Sequence, residues 1–261
     1  MSCMISGKIL GNEQIAPIIY KMTIESEYIA ENARAGQFVN VKCSDGINAL
    51  LRRPISICNT NRANKSFNIV YQVKGTGTEL LSKMEVGDYV DILGPLGNSF
   101  DLDAKYSKIA VVGGGIGIFP LLFLLSQSKA AVRNSYLGFR SRDFIVLEDE
   151  FKKHSDDLHI STDDGSTGDK GLVTDLLQKD LEGAGLDMLY ACGPTPMLKQ
   201  VVRLAEKYDI PCQVSMEQRM GCGIGACLVC ACKTRLGDEW EYSHICKDGP
   251  VFKSSEIIFE D

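Results

Sequence analysis

Along the first hundred residues, apolar and polar side chains alternate. Tyr20, Met22 and Ile24 are separated by Lys21 and Thr23, and Phe67, Ile69, Tyr71 and Val73 by Asn68, Val70 and Gln72. A period of two marks strands with one buried face. Further strands are expected over 37–43, 55–58 and 88–93, between turns rich in Gly, Asn and Asp. Short strands in such close succession predict a small, closed or nearly closed antiparallel β-barrel. One helix, over 79–84, is expected within it.

From about residue 105 the rhythm changes. Apolar runs at 109–112, 136–139, 158–161 and 188–192 alternate with helical patterns at 120–130, 143–153, 172–181 and 197–208. Strand then helix, four times over, predicts a Rossmann-like parallel α/β sheet covered on both faces. In the last helix, Thr195 is placed to cap and Pro196 to occupy the first turn, where a missing N–H costs nothing. Met197, Leu198, Val201, Val202 and Ala205 form its apolar stripe. Residues 212–217 read as one more strand, after which the chain turns to glycine and cysteine, with too few residues for a large apolar core. The expected units are 1–102, 103–210 and 211–261.

Composition narrows the function. With 28 basic and 34 acidic residues the net charge is −6, which argues against general nucleic-acid binding and against polybasic docking to a membrane. Hydrophobic content of 44% and charged content of 24% suit an ordinary soluble globular chain. Residues 109–128 carry no charge and would be long enough to span a bilayer. Four glycines, Pro120 and a polar exit favour a strand, a turn and a buried helix instead. The first ten residues lack the pattern of a secretory leader, so a cytoplasmic protein is expected.

Four of the ten cysteines are scattered, at positions 3, 43, 58 and 192; six crowd between Cys212 and Cys246. Without a leader, such clustering points to metal rather than disulfides. Cys222, Cys227 and Cys230 have the x4 and x2 gaps of plant-type [2Fe–2S] proteins, with Cys246 as the distant fourth ligand. A loop that turns its N–H groups toward sulfur needs backbone angles that glycine tolerates, and Gly221, Gly223 and Gly225 alternate through it. Small Ala226 leaves room for inorganic sulfur. The competing reading is structural zinc on Cys227, Cys230 and Cys246 with His244 or Cys222, which needs neither the glycines nor the x4 gap. Cys212 and Cys232 read as small buried hydrophobes. His154 and His159 belong to no motif.

Two segments in the barrel suggest a flavin. Arg53-Pro54-Ile55-Ser56 resembles the Arg-x-Tyr-Ser of the ferredoxin-reductase superfamily. There the arginine meets the flavin nucleotide's phosphate and the serine approaches the isoalloxazine. Ile55 replaces the tyrosine, so stacking is expected to come from elsewhere. Val70-Tyr71-Gln72 leads through Gly75-Thr76-Gly77-Thr78 into a helix, and N–H groups at a helix start, approached over glycines, suit a pyrophosphate. An ordinary helix capped through Thr76 and Glu79 is the competing reading. Tyr71 is expected to border the ribose or adenine.

Two further turns suggest a pyridine nucleotide. Gly113-Gly114-Gly115-Ile116-Gly117 follows an apolar strand and opens a helix, although Ile118 stands where the strict dinucleotide fingerprint needs glycine. Cys192-Gly193-Pro194 closes the fourth strand, at the end where open α/β sheets hold ligands. Arg140, just after the second strand, suits a 2′-phosphate, which leaves NAD and NADP both open.

In this order, the elements resemble the electron transfer subunits of dihydroorotate dehydrogenase B over the whole chain. The likeness rests on Arg53-Pro54-Ile55-Ser56, Gly75-Thr76-Gly77-Thr78, the 113–117 glycines, Cys192-Gly193-Pro194 and the four cysteines. The module order flavin, nucleotide, cluster separates the chain from phthalate-dioxygenase-type reductases, which resemble it, and from relatives carrying the cluster domain first. Phe119 departs from a proline common in the family. The resemblance implies FAD held by Arg53, Pro54, Ile55, Ser56, Val70, Tyr71, Gln72, Gly77 and Thr78. It also implies NAD at Gly114, Gly115, Gly117, Cys192, Gly193 and Pro194, and one [2Fe–2S] cluster. A partner subunit carrying FMN and the dihydroorotate site is implied, in a two-plus-two heterotetramer serving pyrimidine biosynthesis. No acid, base or nucleophile is needed, so no catalytic residue is expected; Ser56 comes nearest. Two alternatives stand: the flavin subunit of an NADH-dependent ferredoxin:NADP oxidoreductase or sulfide/hydrogenase-linked reductase, and a zinc-stabilised nucleotide-binding regulator.

Overall fold

The computed structural model describes residues 3–44, 46 and 49–259, so the outer limits of the first and last expected units lie outside it. Among the described residues, β1 (Cys3–Ala16), β2 (Ile19–Glu25), β3 (Phe38–Val41), β4 (Arg53–Asn61), β5 (Ser66–Gln72) and β6 (Tyr89–Leu96) close a barrel. Its order is β1-β2-β5-β4-β3-β6, with every pair antiparallel. Ile9, Met22, Ile24, Val39, Ile57 and Ile69 fill it.

Two barrel elements have weak sequence signals. In β1, the inward positions hold Cys3, Ile5, Gly7 and Ile9, while Met4 and Leu10 face outward and blur the alternation. Helix α1 (Glu27–Asn32) is only six residues, started by Ser26 Oγ accepting from the Ile29 N–H at 3.3 Å. Helix α2 (Thr76–Ser82) starts earlier than expected, and Thr76 does not cap it. Thr78 Oγ1 instead accepts from the Lys74 and Gly75 N–H groups at 2.9 and 3.3 Å, while Glu79 pairs with Lys83 at 2.7 Å.

The second layer runs β7 (Lys108–Gly114), α3 (Ile118–Gln127), β8 (Val132–Phe139), α4 (Glu148–His154), β9 (Asp157–Thr162), β10 (Asp169–Lys170), α5 (Val173–Leu181), β11 (Met188–Cys192), α6 (Thr195–Lys207) and β12 (Cys212–Ser215). The charge-free run 109–128 is thus a central strand, a turn and a ten-residue buried helix. No helix among the described residues is long and apolar enough to cross a membrane. Helix α6 starts one residue earlier than expected: Pro194 is its N-cap, with Thr195 and Pro196 already in the first turn. Leu198, Val201, Val202 and Ala205 bury as the stripe requires, joined by Leu204, whereas Met197 is half-buried and lies toward Gly114.

The third segment is not self-contained. A hairpin of β13 (Ala231–Leu236) and β14 (Glu239–His244) stands apart, but β15 (Val251–Lys253) pairs antiparallel with β12. The sheet order is β10-β9-β8-β7-β11-β12-β15, so the residues on either side of the cysteine loop extend the α/β sheet past residue 210. The shortage of apolar residues explains this: Cys230, Ile245 and Cys246 share a core with Val214, Phe252 and, from the barrel, Phe38.

Candidate redox site

The flavin segments meet where the barrel splays open. The β4–β5 ladder runs from Asn61–Ser66 to Ile57–Ile69 and, among the described residues, goes no further. Segment 53–56 and segment 70–72 therefore part as two lips with open backbone edges. The two arginines of this region divide their tasks. Arg52 is committed to the barrel: its Nη2 contacts Asp91 Oδ2 at 2.8 Å, and its Nη1 donates to the Asp91 carbonyl at 3.0 Å. Arg53 donates to the Leu51 carbonyl and spreads over Gly77. A Cβ at position 77 would come within 2.8 to 2.9 Å of its Nε, Cζ and Nη2. The Arg-Pro and Gly-Thr-Gly-Thr segments are thus in direct contact. Nothing lies within 4 Å of where a Cβ on Gly75 would be. A guanidinium, the first turn of α2 and an open approach over Gly75 suit a phosphate.

The side chains between these groups are placed differently from expectation. Ile55 turns into the barrel core, leaving Pro54 and Ser56 half-buried on the other face. Tyr71 is 3% exposed; its ring stacks on Tyr20 and its hydroxyl donates to Asn12 Oδ1 at 3.1 Å. Burial pushes its phenol well above the usual range. Val70 is also buried, so this pair has backbone rather than side-chain surface left for a ligand.

The nucleotide turns meet at the sheet's switch point. From β7 the chain goes to β8 on one side and later returns to β11 on the other, which opens a crevice at the strands' carboxyl ends. There Cys192 registers with Gly113 and with Ser215. A Cβ on Gly117 would lie 2.3 Å from the Cys192 carbonyl oxygen, and one on Gly114 would lie 2.7 Å from Met197 Sδ. These two glycines let the turns touch. Gly115 serves the ligand side: its φ is +55°, with no atom within 4 Å of a Cβ there. The Gly115–Gly117 turn also borders β5, and α3 packs on β4, so the nucleotide crevice adjoins the flavin lips. Burial pushes the Cys192 thiol up to about 12, with Glu217 adding and a hydrogen bond to Ser215 opposing.

The loop brings Cys222 and Cys246 against neighbouring N–H groups, with Cys227 and Cys230 near them, although among the described residues the cysteines do not close into a metal-holding group. Cys227 donates to Cys222, and Cys246 donates to Cys230. Two pairs suit a two-iron centre with two thiolates on each iron. The loop turns its N–H groups onto sulfur: Gly225 donates to Cys246 Sγ at 3.1 Å, and Ala226 and Ile224 to Cys222 Sγ at 3.2 and 3.5 Å. Burial resists ionisation of Cys222, yet these N–H groups and Cys227 bring it down to about 6. Burial and Cys230 hold Cys246 at about 12. Gly223 and Gly225 have φ of +75° and +77°. Gly221 does not share that angle; it leaves room for Cys227, whose Sγ would be 3.3 Å from a Cβ there. His244 Nδ1 instead faces Asp248 at 3.6 Å. Cys212 is buried on β12 and Cys232 half-buried on β13.

Two features escaped the sequence reading. Asn40, on β3, lies fully buried beneath the cysteine loop. The loop and hairpin also expose Ile224, Leu228, Val229, Trp240 and Tyr242, with Leu228 77% accessible. Their only signal in sequence is apolar residues in a stretch otherwise too polar to form a core.

Comparison with known proteins agrees with this geometry. Residues 217–258 match the iron–sulfur cluster binding domain of dihydroorotate dehydrogenase B, and residues 111–203 match the oxidoreductase NAD-binding domain. The electron transfer subunit of dihydroorotate dehydrogenase B (NAD(+)) from Desulforamulus reducens is 40% identical over 100% of both chains. Its counterpart from Bacillus caldolyticus is 43% identical over 94% of each. Among solved structures, the NADH-dependent reduced ferredoxin-NADP oxidoreductase superposes with a TM-score of 0.85 at 31% identity, covering 97% of this chain and 89% of that one. Ferredoxin-NADP+ reductase from Plasmodium falciparum, at 14% identity and a TM-score of 0.66, shares the fold. FAD, a [2Fe–2S] cluster and NAD fit the residues present, and the chain belongs to the family of dihydroorotate dehydrogenase B (NAD(+)) electron transfer subunits.

Proposed function

We propose that this chain relays electrons from an FMN-bearing partner subunit, where dihydroorotate is oxidised, to NAD+. The observation that carries the reading is the continuity of three sites. The cysteine loop rests on β3, β3 registers with the Arg53–Ser56 segment of β4, and β4 and β5 border the nucleotide turns. NAD+ takes two electrons together and an iron–sulfur cluster takes one, and FAD supplies the exchange between them. The chain's own residues bind and orient. Arg53 and the start of α2 hold the phosphate-bearing part of the flavin. Gly115 and the Cys192-Gly193-Pro194 turn admit the nucleotide, and the four cysteines fix the cluster.

The exposed apolar residues of the cysteine loop, Ile224, Leu228 and Val229, with Trp240 and Tyr242 on the adjoining hairpin, supply the docking surface for the partner, and Trp240 is its aromatic anchor. The complex is a cytoplasmic two-plus-two heterotetramer acting in pyrimidine biosynthesis. The purified chain is expected to reduce artificial acceptors with NADH and to leave dihydroorotate untouched. Adding the FMN-bearing partner is expected to create dihydroorotate-dependent NAD+ reduction. Leu228→Asp with Trp240→Ala is expected to weaken assembly at least roughly thirtyfold while leaving NADH-dependent dye reduction intact. Dihydroorotate oxidation by the chain alone, or assembly untouched by the double variant, would defeat this proposal.

A further inference from the structure

Asn40 is the polar side chain that the fold spends most to keep. It is 0% exposed, and neither its Oδ1 nor its Nδ2 has a hydrogen-bond partner among the described residues. Each such orphan costs on the order of 1–3 kcal/mol, and a leucine of similar size would avoid both. The surroundings keep it in place. Val39 and Val41 turn into the barrel core, while Phe38 and Asn40 face the cysteine loop. A register shift against β6 between Phe38 and Asn40 bends the strand there. Arg52 Nη1 donates to the Asn40 carbonyl at 3.4 Å, and Pro54 of the flavin segment is its register partner on β4. On the other side lies Gly223, next to Cys222. A Cβ on Gly223 would fall 2.4 Å from Asn40 Nδ2, so the loop closes over the amide only because that residue is glycine with φ of +75°.

From this juxtaposition we propose that the Asn40 amide is the barrel's hydrogen-bond donor to the cluster, placed between the flavin segment and the cysteine loop to set the cluster's reduction potential. The inference rests on the reading that the four cysteines hold a [2Fe–2S] group. A sulfur shell offers only acceptors, which matches the Nδ2 end that faces Gly223. Donors to sulfur favour the reduced, more negative state and raise the potential. Asn40 is thus a positioning and tuning residue; it transfers no electron itself.

The test compares the loaded wild-type protein with Asn40→Leu and Asn40→Ala, which both lack the donor and carry no charge. Potentiometric titration would follow the cluster by EPR and FAD by visible absorbance, with iron, sulfide and flavin contents measured in each. Both variants are expected to shift the cluster's reduction equilibrium about tenfold toward the oxidised state, which is about 59 mV for one electron, with the FAD potential unmoved. Asn40→Ala, which adds no bulk under the loop, carries the test if Asn40→Leu loses iron. An unmoved cluster potential with a raised Tm in Asn40→Leu would mean a merely structural amide and overturn the proposal. A shift confined to FAD would assign the amide to the flavin and overturn it as well. Wild-type protein without iron and sulfide would instead defeat the cluster reading.

Discussion

Gly77→Ala should loosen FAD by displacing the Arg53 guanidinium rather than by removing its charge. The new methyl would stand 2.8 Å from Arg53 Nε and 2.9 Å from its Cζ and Nη2. Carbon contacts settle near 3.5 Å, so the guanidinium must withdraw by about 0.7 Å. Folding should not suffer. Gly77 lies within α2, where alanine is favoured over glycine by about 1 kcal/mol, and the displaced atoms end a flexible side chain that donates to the Leu51 carbonyl. Arg53→Ala sets the scale. A charge-assisted hydrogen bond to phosphate is worth on the order of 2 kcal/mol, or roughly thirtyfold in affinity. A shifted guanidinium keeps its charge but loses alignment, so Gly77→Ala should cost about tenfold.

The double variant is the sharper measurement. If the methyl acts only through Arg53, adding Gly77→Ala to Arg53→Ala should cost nothing more, and the two effects should fail to add by about the whole of the smaller one. Fluorescence titration of flavin-free protein gives the affinities, and the cluster's absorbance shows that the third segment is intact. Retained affinity in Gly77→Ala would refute the reasoning. So would penalties that simply multiply, since Gly77 would then meet the cofactor independently of Arg53.

Serine at Cys222, Cys227, Cys230 or Cys246 should bleach the cluster's absorbance and its reduced-state EPR signal, while Cys212→Ser and Cys232→Ser keep both; a silent Cys232→Ser protein would overturn the ligand set. Because burial raises Cys192 to about 12, its thiol stays protonated at neutral pH. The stabilisation tied to that neutral form is complete below pH 9 and fades only as pH climbs toward 12. Iodoacetamide at about pH 8, read by mass spectrometry, should therefore spare Cys192 along with buried Cys58 and Cys212. A break in NADH-dependent dye reduction near pH 8 that Cys192→Ser removes would contradict this.

The sequence was readable where one physical signal dominates. Alternation in β2 and β5, apolar runs in the parallel strands and the x4/x2 cysteine gaps each reflect one local requirement. The first two correspond to observed strands, and the gaps fall within the stretch that matches an iron–sulfur cluster binding domain. The reading weakens where a residue serves two masters. Tyr71 fits an alternating strand beside a flavin lip, yet its ring is taken up by Tyr20 and Asn12, a pairing set by barrel closure. Cys212–Ser215 has the pattern of a strand, but nothing local says that it pairs with β11 rather than with the hairpin. Asn40 is silent for the same reason, because a lone asparagine on a strand acquires meaning only when Gly223 arrives from 183 residues away.

That long-range closure bears on how the parts work together. A one-electron carrier on a flexible tether would deliver electrons only when it happened to swing close. Here the cysteine loop is anchored at both ends in the sheet that holds the nucleotide turns, through β12 before it and β15 after it. It is also tied to the barrel, where the Asn98 N–H and side-chain amide donate to the Gly249 and Asp248 carbonyls at 2.5 and 2.6 Å. Gly97 admits Pro250 so closely that a Cβ there would sit 2.5 Å from its Cδ. The third segment therefore takes its core from both neighbours, and the same contacts hold the cysteine loop against β3. The contacts that stabilise the segment are in this way the ones that place the cysteine loop, and they leave Ile224, Leu228 and Val229 exposed on it.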